Sequence, residues 1–322
     1  MQTKVITLQN NKLSVDICPT LGAEIRRIGR TGIAENFLMQ TNWVKPGKNF
    51  CKCNEISEAH FLSHYVGGWQ LMLPNAGFTS FSGDVELGYH GEAWHSLWDV
   101  KKSSPIFLEL QTNLYSIPLS VNRKISLVGS ALIVTDEVTN LSPQRIEFLW
   151  GHHPAFSDLL IDSSSEVRIK AKVLSTARST LSNASSDTPP VFVTYDKDII
   201  LSNIWKEPYS YLGYISEFES GQASIINHNK QLQLVLSWDL SVFPFAWLWI
   251  ENMQISEDPW RNKIRTLAIE PCSTTTNMGL LASKKSSGNT ITLGTHESKQ
   301  TQIRVEVSTL NIEKGETIEA CA

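Results

Sequence analysis

Three short stretches hold residue types suited to proton transfer. They are Gly88-Tyr89-His90-Gly91-Glu92, Trp150-Gly151-His152-His153-Pro154-Ala155-Phe156 and Ala268-Ile269-Glu270-Pro271. An imidazole titrates near neutral pH, so it can both take and give a proton there. Pro154 pushes His153 towards extended backbone, and neighbours in a strand point to opposite faces. Only one of His152 and His153 therefore faces a given side, and the other packs or hydrogen-bonds elsewhere. Glu270 closes an apolar run, where a carboxylate is costly unless it is paired or hydrogen-bonded. Taken alone it reads equally as a strand-end carboxylate accepting backbone N–H groups and as a general base tuned by burial. His90 sits in a turn between Gly88 and Gly91, and glycine lets backbone and ligand approach closely. On its own, His90 reads first as a turn histidine in water.

Other chemistries fit the sequence less well. His90-Gly91-Glu92 has the H-x-E of a zinc deaminase, but Pro271-Cys272 meets Thr275 where the second cysteine of P-C-x-x-C belongs. Cys51-Lys52-Cys53 is a C-x-C with no matching second pair. His90, His95, His152 and His153 show no recognised ligand spacing, so no metal is expected. Gly67-Gly68 lacks the spacing and the Lys-Ser/Thr of a phosphate loop.

The elements that must position these groups read as strands. Lys4-Val5-Ile6-Thr7-Leu8 and Lys12-Leu13-Ser14-Val15-Asp16-Ile17 alternate about Gln9-Asn10-Asn11, the pattern of a hairpin. Period-2 alternation recurs at 106–110, 123–127, 131–138, 231–238, 246–250 and 301–307. Helical periodicity is confined to short pieces near Ser202–Trp205 and Asn277–Lys284. Many short strands with little helix predict an antiparallel sandwich. The Ser- and Pro-rich stretch 179–190 is expected to be a surface loop. No linker divides the chain, so one domain over 1–322 is expected. Of ten tryptophans, most are expected to fill core, and one or two to wall a ligand site.

Composition narrows the function classes. The chain has 322 residues, a net charge of -4 and no run of five basic residues. That gives no broad attraction to nucleic acid or to an acidic membrane surface. No stretch of 18 apolar residues exists, and the N-terminus lacks the apolar core of a signal peptide. Five cysteines read as reduced and structural, as in the cytoplasm.

The three stretches, in this order on an all-β chain, resemble the galactose mutarotase-like (aldose 1-epimerase) family. The opening Leu13-Ser14-Val15-Asp16-Ile17-Cys18-Pro19-Thr20-Leu21-Gly22-Ala23-Glu24-Ile25-Arg26-Arg27-Ile28 looks like that family's first strand, loop and Gly-Ala strand. The resemblance runs from about residue 12 to about residue 307. It implies one large antiparallel β-sandwich with a cleft on one sheet, and a chain that is a monomer or homodimer. By motif, the family's His-Gly histidine falls on His90, which would contact sugar hydroxyls. Its His-Pro histidine falls on His153, the implied general acid at the ring oxygen. Its strand-end glutamate falls on Glu270, the implied general base at the anomeric hydroxyl. No cofactor is implied, and the partner is a small carbohydrate.

The sequence departs from the family where galactose- and glucose-acting members carry Gly-Arg-x-x-Asn-Arg. Here Gly67-Gly68-Trp69-Gln70-Leu71-Met72-Leu73-Pro74-Asn75-Ala76-Gly77 matches at Asn75 and lacks both arginines. Gln70 or Asn75 would take over hydroxyl contacts, since an amide both donates and accepts. Without an arginine, a hexose phosphate is not supported. Asp239 stands for the family's sugar-binding aspartate, and Trp150 and Trp249 for the aromatic wall. His90, His153 and Glu270 are expected to converge in one cleft, with His152 turned away. The expected activity is interconversion of the α and β anomers of a free sugar or sugar derivative. The alternative is a noncatalytic carbohydrate-binding protein, because one fold hosts many functions.

Overall fold

The structure, a computed structural model, describes residues 4–43, 57–176, 192–286 and 289–310. Alternating side chains build its sheets. Leu119–Val128 and Ala131–Asn140 bury nearly every second residue and pair antiparallel along their whole length, so one face of each meets the core. Ile6–Gln9 and Leu13–Cys18 pair as a hairpin. The Asn10 side chain holds its turn by accepting from the backbone N–H groups of Lys12 and Leu13.

Hydrogen-bonded strands follow one continuous antiparallel path. It runs from that hairpin through Glu24–Arg30, Trp69–Met72, Gly151–Phe156, Arg265–Cys272 and Phe245–Asn252 to Tyr209–Asn227. This last strand is 19 residues long and changes partner midway. Residues 209–215 pair with Phe245–Asn252, and residues 222–227 pair with Leu232–Trp238. The path then continues through Ser298–Thr309, Ala131–Asn140, Leu119–Val128, Phe107–Asn113 and Asp99–Ser104. The long strand thus carries the sheet from one layer of the sandwich into the other. The fold is an all-β antiparallel supersandwich.

Between the layers lies an apolar core that includes Trp69, Phe148, Trp150, Phe156 and Phe243. A charged pair is sealed inside it. Arg123 donates from Nε and Nη2 to the two carboxylate oxygens of Asp136 at 2.8 Å each, and both side chains are 1% exposed. The Arg123 guanidinium lies 5.4 Å over the ring of Trp98.

Helix is sparse. Gly279–Ser286 is helical, close to the expected segment. Ser202–Trp205 is instead a strand end and a turn, because Ile199–Ser202 pairs with Ser165–Thr176. Glu58–His64 forms a helix that the hydrophobic pattern did not signal. Two turns are too short to show a period, but Ser57 caps it by accepting from His60 N. The stretch 179–190 and Cys51 and Cys53 lie outside the described residues. Among the described residues no helix is long and apolar enough to cross a membrane.

Candidate active site

The strand Gly151–Phe156 separates two environments. His152 points inwards, where its Nδ1 accepts from Trp69 Nε1 at 3.1 Å and its Nε2 lies 3.3 Å from Asp136 Oδ2. That second contact is too poorly aligned to count as a full hydrogen bond. His153 points to the other face of the layer, with its Nε2 3.7 Å from Glu270 Oε1 on Arg265–Cys272. The two strands are hydrogen-bonded neighbours, so the pair is fixed by sheet register. Glu270 does not accept backbone N–H groups at a strand end. The strand runs on to Cys272, and Glu270 Oε2 is buried with no hydrogen-bond partner.

His90 arrives from a turn clamped by backbone. It has φ 58, Gly91 has φ 73, and a Cβ on Gly91 would sit 2.3 Å from the Leu73 carbonyl carbon. The close approach that glycine permits here is to Leu73, which makes that position glycine-only. His90 N donates to Gly77 O at 2.9 Å, and Gly77 N donates to His90 Nδ1 at 3.1 Å. Accepting at Nδ1 fixes the neutral ring with its hydrogen on Nε2. The rings of His90 and His153 are 5.6 Å apart. Gln70 is the register partner of His153 across the sheet, and cross-strand partners share a face. Its Oε1 is buried without a partner.

An aromatic cap closes this face. Phe61, on the helix Glu58–His64, has ring centroids 5.0 Å from His90, 5.0 Å from Trp94 and 6.4 Å from His153. Tyr65 ends that helix with its ring 5.6 Å from His153 and its hydroxyl buried and unpartnered. Trp249 stands 5.6 Å from His153 and 5.5 Å from Trp260. Trp43 donates from Nε1 to Leu62 O at 2.8 Å, which ties the helix down. Phe61, Tyr65 and Trp260 were not candidates in the sequence. Tyr65 stands two residues before Gly67-Gly68, and that proximity was its one legible signal.

Burial sets the protonation of these groups. It holds the Glu270 carboxyl well above the usual carboxylate range and pulls His153 down to about 4. Burial, with His153 adding to it, takes His90 well below the usual histidine value. Burial likewise keeps the Tyr65 phenol un-ionised. At neutral pH the face presents two neutral imidazoles, an amide, a phenol and a carboxyl that burial biases towards its protonated form. Among the described residues no three His, Cys, Asp or Glu side chains are grouped to hold a metal ion.

The structure brings His90, His153, Glu270, Gln70 and Trp249 together, and it places three other candidates elsewhere. Trp150 is fully buried on the His152 side, its ring 5.5 Å from Phe243, because strand alternation turns it inwards. Asn75 is spent on loop structure. It donates to Phe78 O and Gly88 O, and it accepts from Leu280 N. Asp239 lies just past Leu232–Trp238 and closes a turn by accepting from Ser241 N at 2.8 Å. Glu92, the nearby second carboxylate, accepts from the backbone N–H groups of Tyr115 and Ser116.

Solved structures share this architecture at low identity. The Slr1438 protein from Synechocystis sp. PCC 6803 is 16% identical, with a TM-score of 0.71 over 96% of this chain and 97% of its own. A galactose mutarotase related enzyme from Lactobacillus acidophilus is 16% identical, with a TM-score of 0.68 over 96% and 99%. A galactose mutarotase-like protein from Lactobacillus casei ATCC 334 is 16% identical, with a TM-score of 0.68 over 95% and 100%. These likenesses establish the galactose mutarotase-like fold. No functionally curated protein matches the sequence. The family model described as domain of unknown function DUF4432 matches residues 2–307, and the chain belongs to that family.

Proposed function

We propose that this protein is an aldose 1-epimerase-like isomerase that interconverts the anomers of an uncharged free sugar. The observation that carries the reading is the His153–Glu270 pair, 3.7 Å apart, buried, and left with an unpartnered atom on each member. Buried polar groups are almost always satisfied, so unsatisfied ones gathered on one face suit a ligand's hydroxyls. Anomer exchange needs an acid and a base at once, in opposite protonation states. A pair that holds one transferable proton meets that requirement.

A sugar hydroxyl bonded to Glu270 Oε2 favours the ionised carboxyl, which passes its proton to His153 as the pair draws within hydrogen-bond reach. Glu270 then takes the proton from the C1 hydroxyl while His153 gives its proton to the ring oxygen. The C1–O5 bond breaks and leaves an open-chain aldehyde. After rotation about C1–C2, His153 takes the proton back from the C5 hydroxyl as O5 attacks C1, and Glu270 returns its proton to O1. Protons balance over the cycle, and no group is consumed. His90 presents Nε2–H to the sugar and Trp249 packs on its C–H face.

Exchange NMR on a freshly dissolved pure anomer tests the proposal. Glu270→Gln and His153→Asn should each slow catalysed exchange by about 10²-fold or more, and His90→Asn should chiefly weaken binding. A wild-type protein that binds a sugar and leaves its anomers exchanging at the uncatalysed rate is a carbohydrate-binding module instead.

A further inference from the structure

We infer that Gln70 is a fixed hydrogen-bond acceptor that reads one hydroxyl of the sugar, and that Glu24 holds it in that role. This rests on the site proposed above for a sugar. Glu24 is 2% exposed and Gln70 is 2% exposed. Glu24 Oε1 accepts from Arg26 Nε at 2.6 Å, and its Oε2 accepts from Gln70 Nε2 at 3.2 Å. The same Gln70 nitrogen also donates to Gly67 O. Both hydrogens of the amide are therefore used.

Burial pushes the Glu24 carboxyl up and the Arg26 guanidinium beside it opposes that push. With Glu24 ionised, turning the amide over would set Oε1 against a carboxylate oxygen and a carbonyl oxygen and lose both hydrogen bonds. That repulsion fixes the amide one way round. An amide in general both donates and accepts, but this one has only Oε1 left. Oε1 is buried, without a partner, and on the same face as His153, its register partner. It therefore selects for a hydrogen-bond donor on the ligand, which in a sugar is a hydroxyl next to the reacting centre. It selects against a carboxylate, phosphate or ether oxygen at that position. Glu24 also matches the charge of Arg26, so that cation is not left to attract an anionic sugar. Gln70 is thus a specificity-determining residue and Glu24 a positioning residue.

The test is binding, read by saturation-transfer NMR titration of D-glucose, D-galactose and D-mannose, each beside its 2-, 3-, 4- and 6-deoxy analogues. In wild type, one monodeoxy analogue of a binding hexose should bind roughly 10–100-fold more weakly, because Oε1 then stays buried and unpaired. Gln70→Met, which keeps the volume and removes the acceptor, should bind the parent that much more weakly and lose the distinction. Glu24→Ala frees the amide to turn over, so it should shrink the parent-to-deoxy ratio. A merely structural lesion would weaken parent and analogue alike and leave that ratio unchanged. Equal binding of all analogues to wild type, or an unchanged ratio in Gln70→Met, overturns the inference. The wild-type series stands even where a variant fails to fold. If the ratio holds and anomer exchange is uncatalysed, the isomerase reading falls and the role of Gln70 stands. If exchange is catalysed and no analogue is discriminated, the reverse is true. If no hexose binds, both fall.

Discussion

His152 and His153 are adjacent on one strand and both nearly inaccessible, at 1% and 7% exposure, yet their surroundings differ in kind. His152 is one member of a cluster whose other groups are matched: Trp69 donates to it, and Arg123 and Asp136 saturate each other behind it. His153 faces groups that match nothing, namely Glu270 Oε2, Gln70 Oε1 and the Tyr65 hydroxyl, and its own Nδ1 is bare. Burial lowers both histidines, to about 3 for His152 and about 4 for His153. For His152 the pull of Asp136 opposes that burial and Arg123 reinforces it. A buried cluster whose charges are matched, as Arg123 and Asp136 are, supports the fold, and one with a bare carboxyl oxygen is arranged for a ligand. What separates the two sides is which group stays bare. Among the described residues on the His152 side only the ring nitrogens His152 Nε2 and Trp150 Nε1 lack a hydrogen bond, whereas on the His153 side a carboxyl oxygen does.

The largest effect should come from breaking the closed side. Arg123→Met leaves the buried Asp136 with only the poorly aligned contact to His152, which should cost about 3–5 kcal/mol of stability. A denaturant midpoint that hardly moves would show that Asp136 has another route to compensation. On the open side, Glu270→Gln removes a carboxyl that has no hydrogen-bond partner at Oε2 and only the 3.7 Å approach of His153 at Oε1. Its effect on exchange should be about 10²-fold or more, with no loss of stability. The stability sign can be worked out. The folded pKa of Glu270 is raised by burial, so wild type loses stability as pH rises from about 4.5 towards that folded value. Gln does not titrate. The variant should equal wild type in mild acid and exceed it at alkaline pH, as read by thermal melts across that range.

The sequence revealed the open side better than its cover. His90, His153 and Glu270 were legible because each sits in a short motif with a glycine or proline beside it, and period-2 alternation told His152 from His153. Alternation also predicted the sandwich, since each strand writes its own inward face. Trp150 was misplaced for want of that same count: it is two residues before His152 and shares its inward face. Asn75 and Asp239 failed for another reason. Asn and Asp satisfy turns and loop backbones as readily as ligands, and nothing local distinguishes the two uses. The helix Glu58–His64 carries Phe61 over the site through packing that spans distant strands, which no local pattern encodes.

Acid should act on both histidine faces. The folded pKa values of His90, His95, His152 and His153 are all depressed, mainly by burial. The unfolded chain binds protons that the folded chain refuses. The histidines' contribution to stability is therefore full above about pH 6.5 and is lost as pH drops towards 4, by about 1.4 kcal/mol per pH unit for each such histidine. His153→Asn should make that fall shallower by one histidine's share down to about 4. A slope unchanged in His153→Asn would mean that His153 is protonated in the folded state.

The smallest effects should come from the two tryptophans first read as one wall, and they should divide cleanly. Trp150 lies on the His152 side, is fully buried, and has an Nε1 with no hydrogen-bond partner. Trp150→Phe therefore sacrifices packing area and no hydrogen bond. It should cost about 1–2 kcal/mol of stability, the loss of part of a buried ring, and leave sugar affinity unchanged. Trp249 lies on the His153 side, half-buried, between His153 and Trp260. Trp249→Phe narrows an aromatic face whose contacts are worth about 0.5–1.5 kcal/mol. It should weaken sugar binding by about two- to tenfold and shift the denaturation midpoint little. Melts and NMR titrations on the two variants read both quantities in each protein. If Trp150→Phe weakens binding as much as Trp249→Phe does, the strand does not insulate its two faces, and the matched cluster beneath it belongs to the site as well.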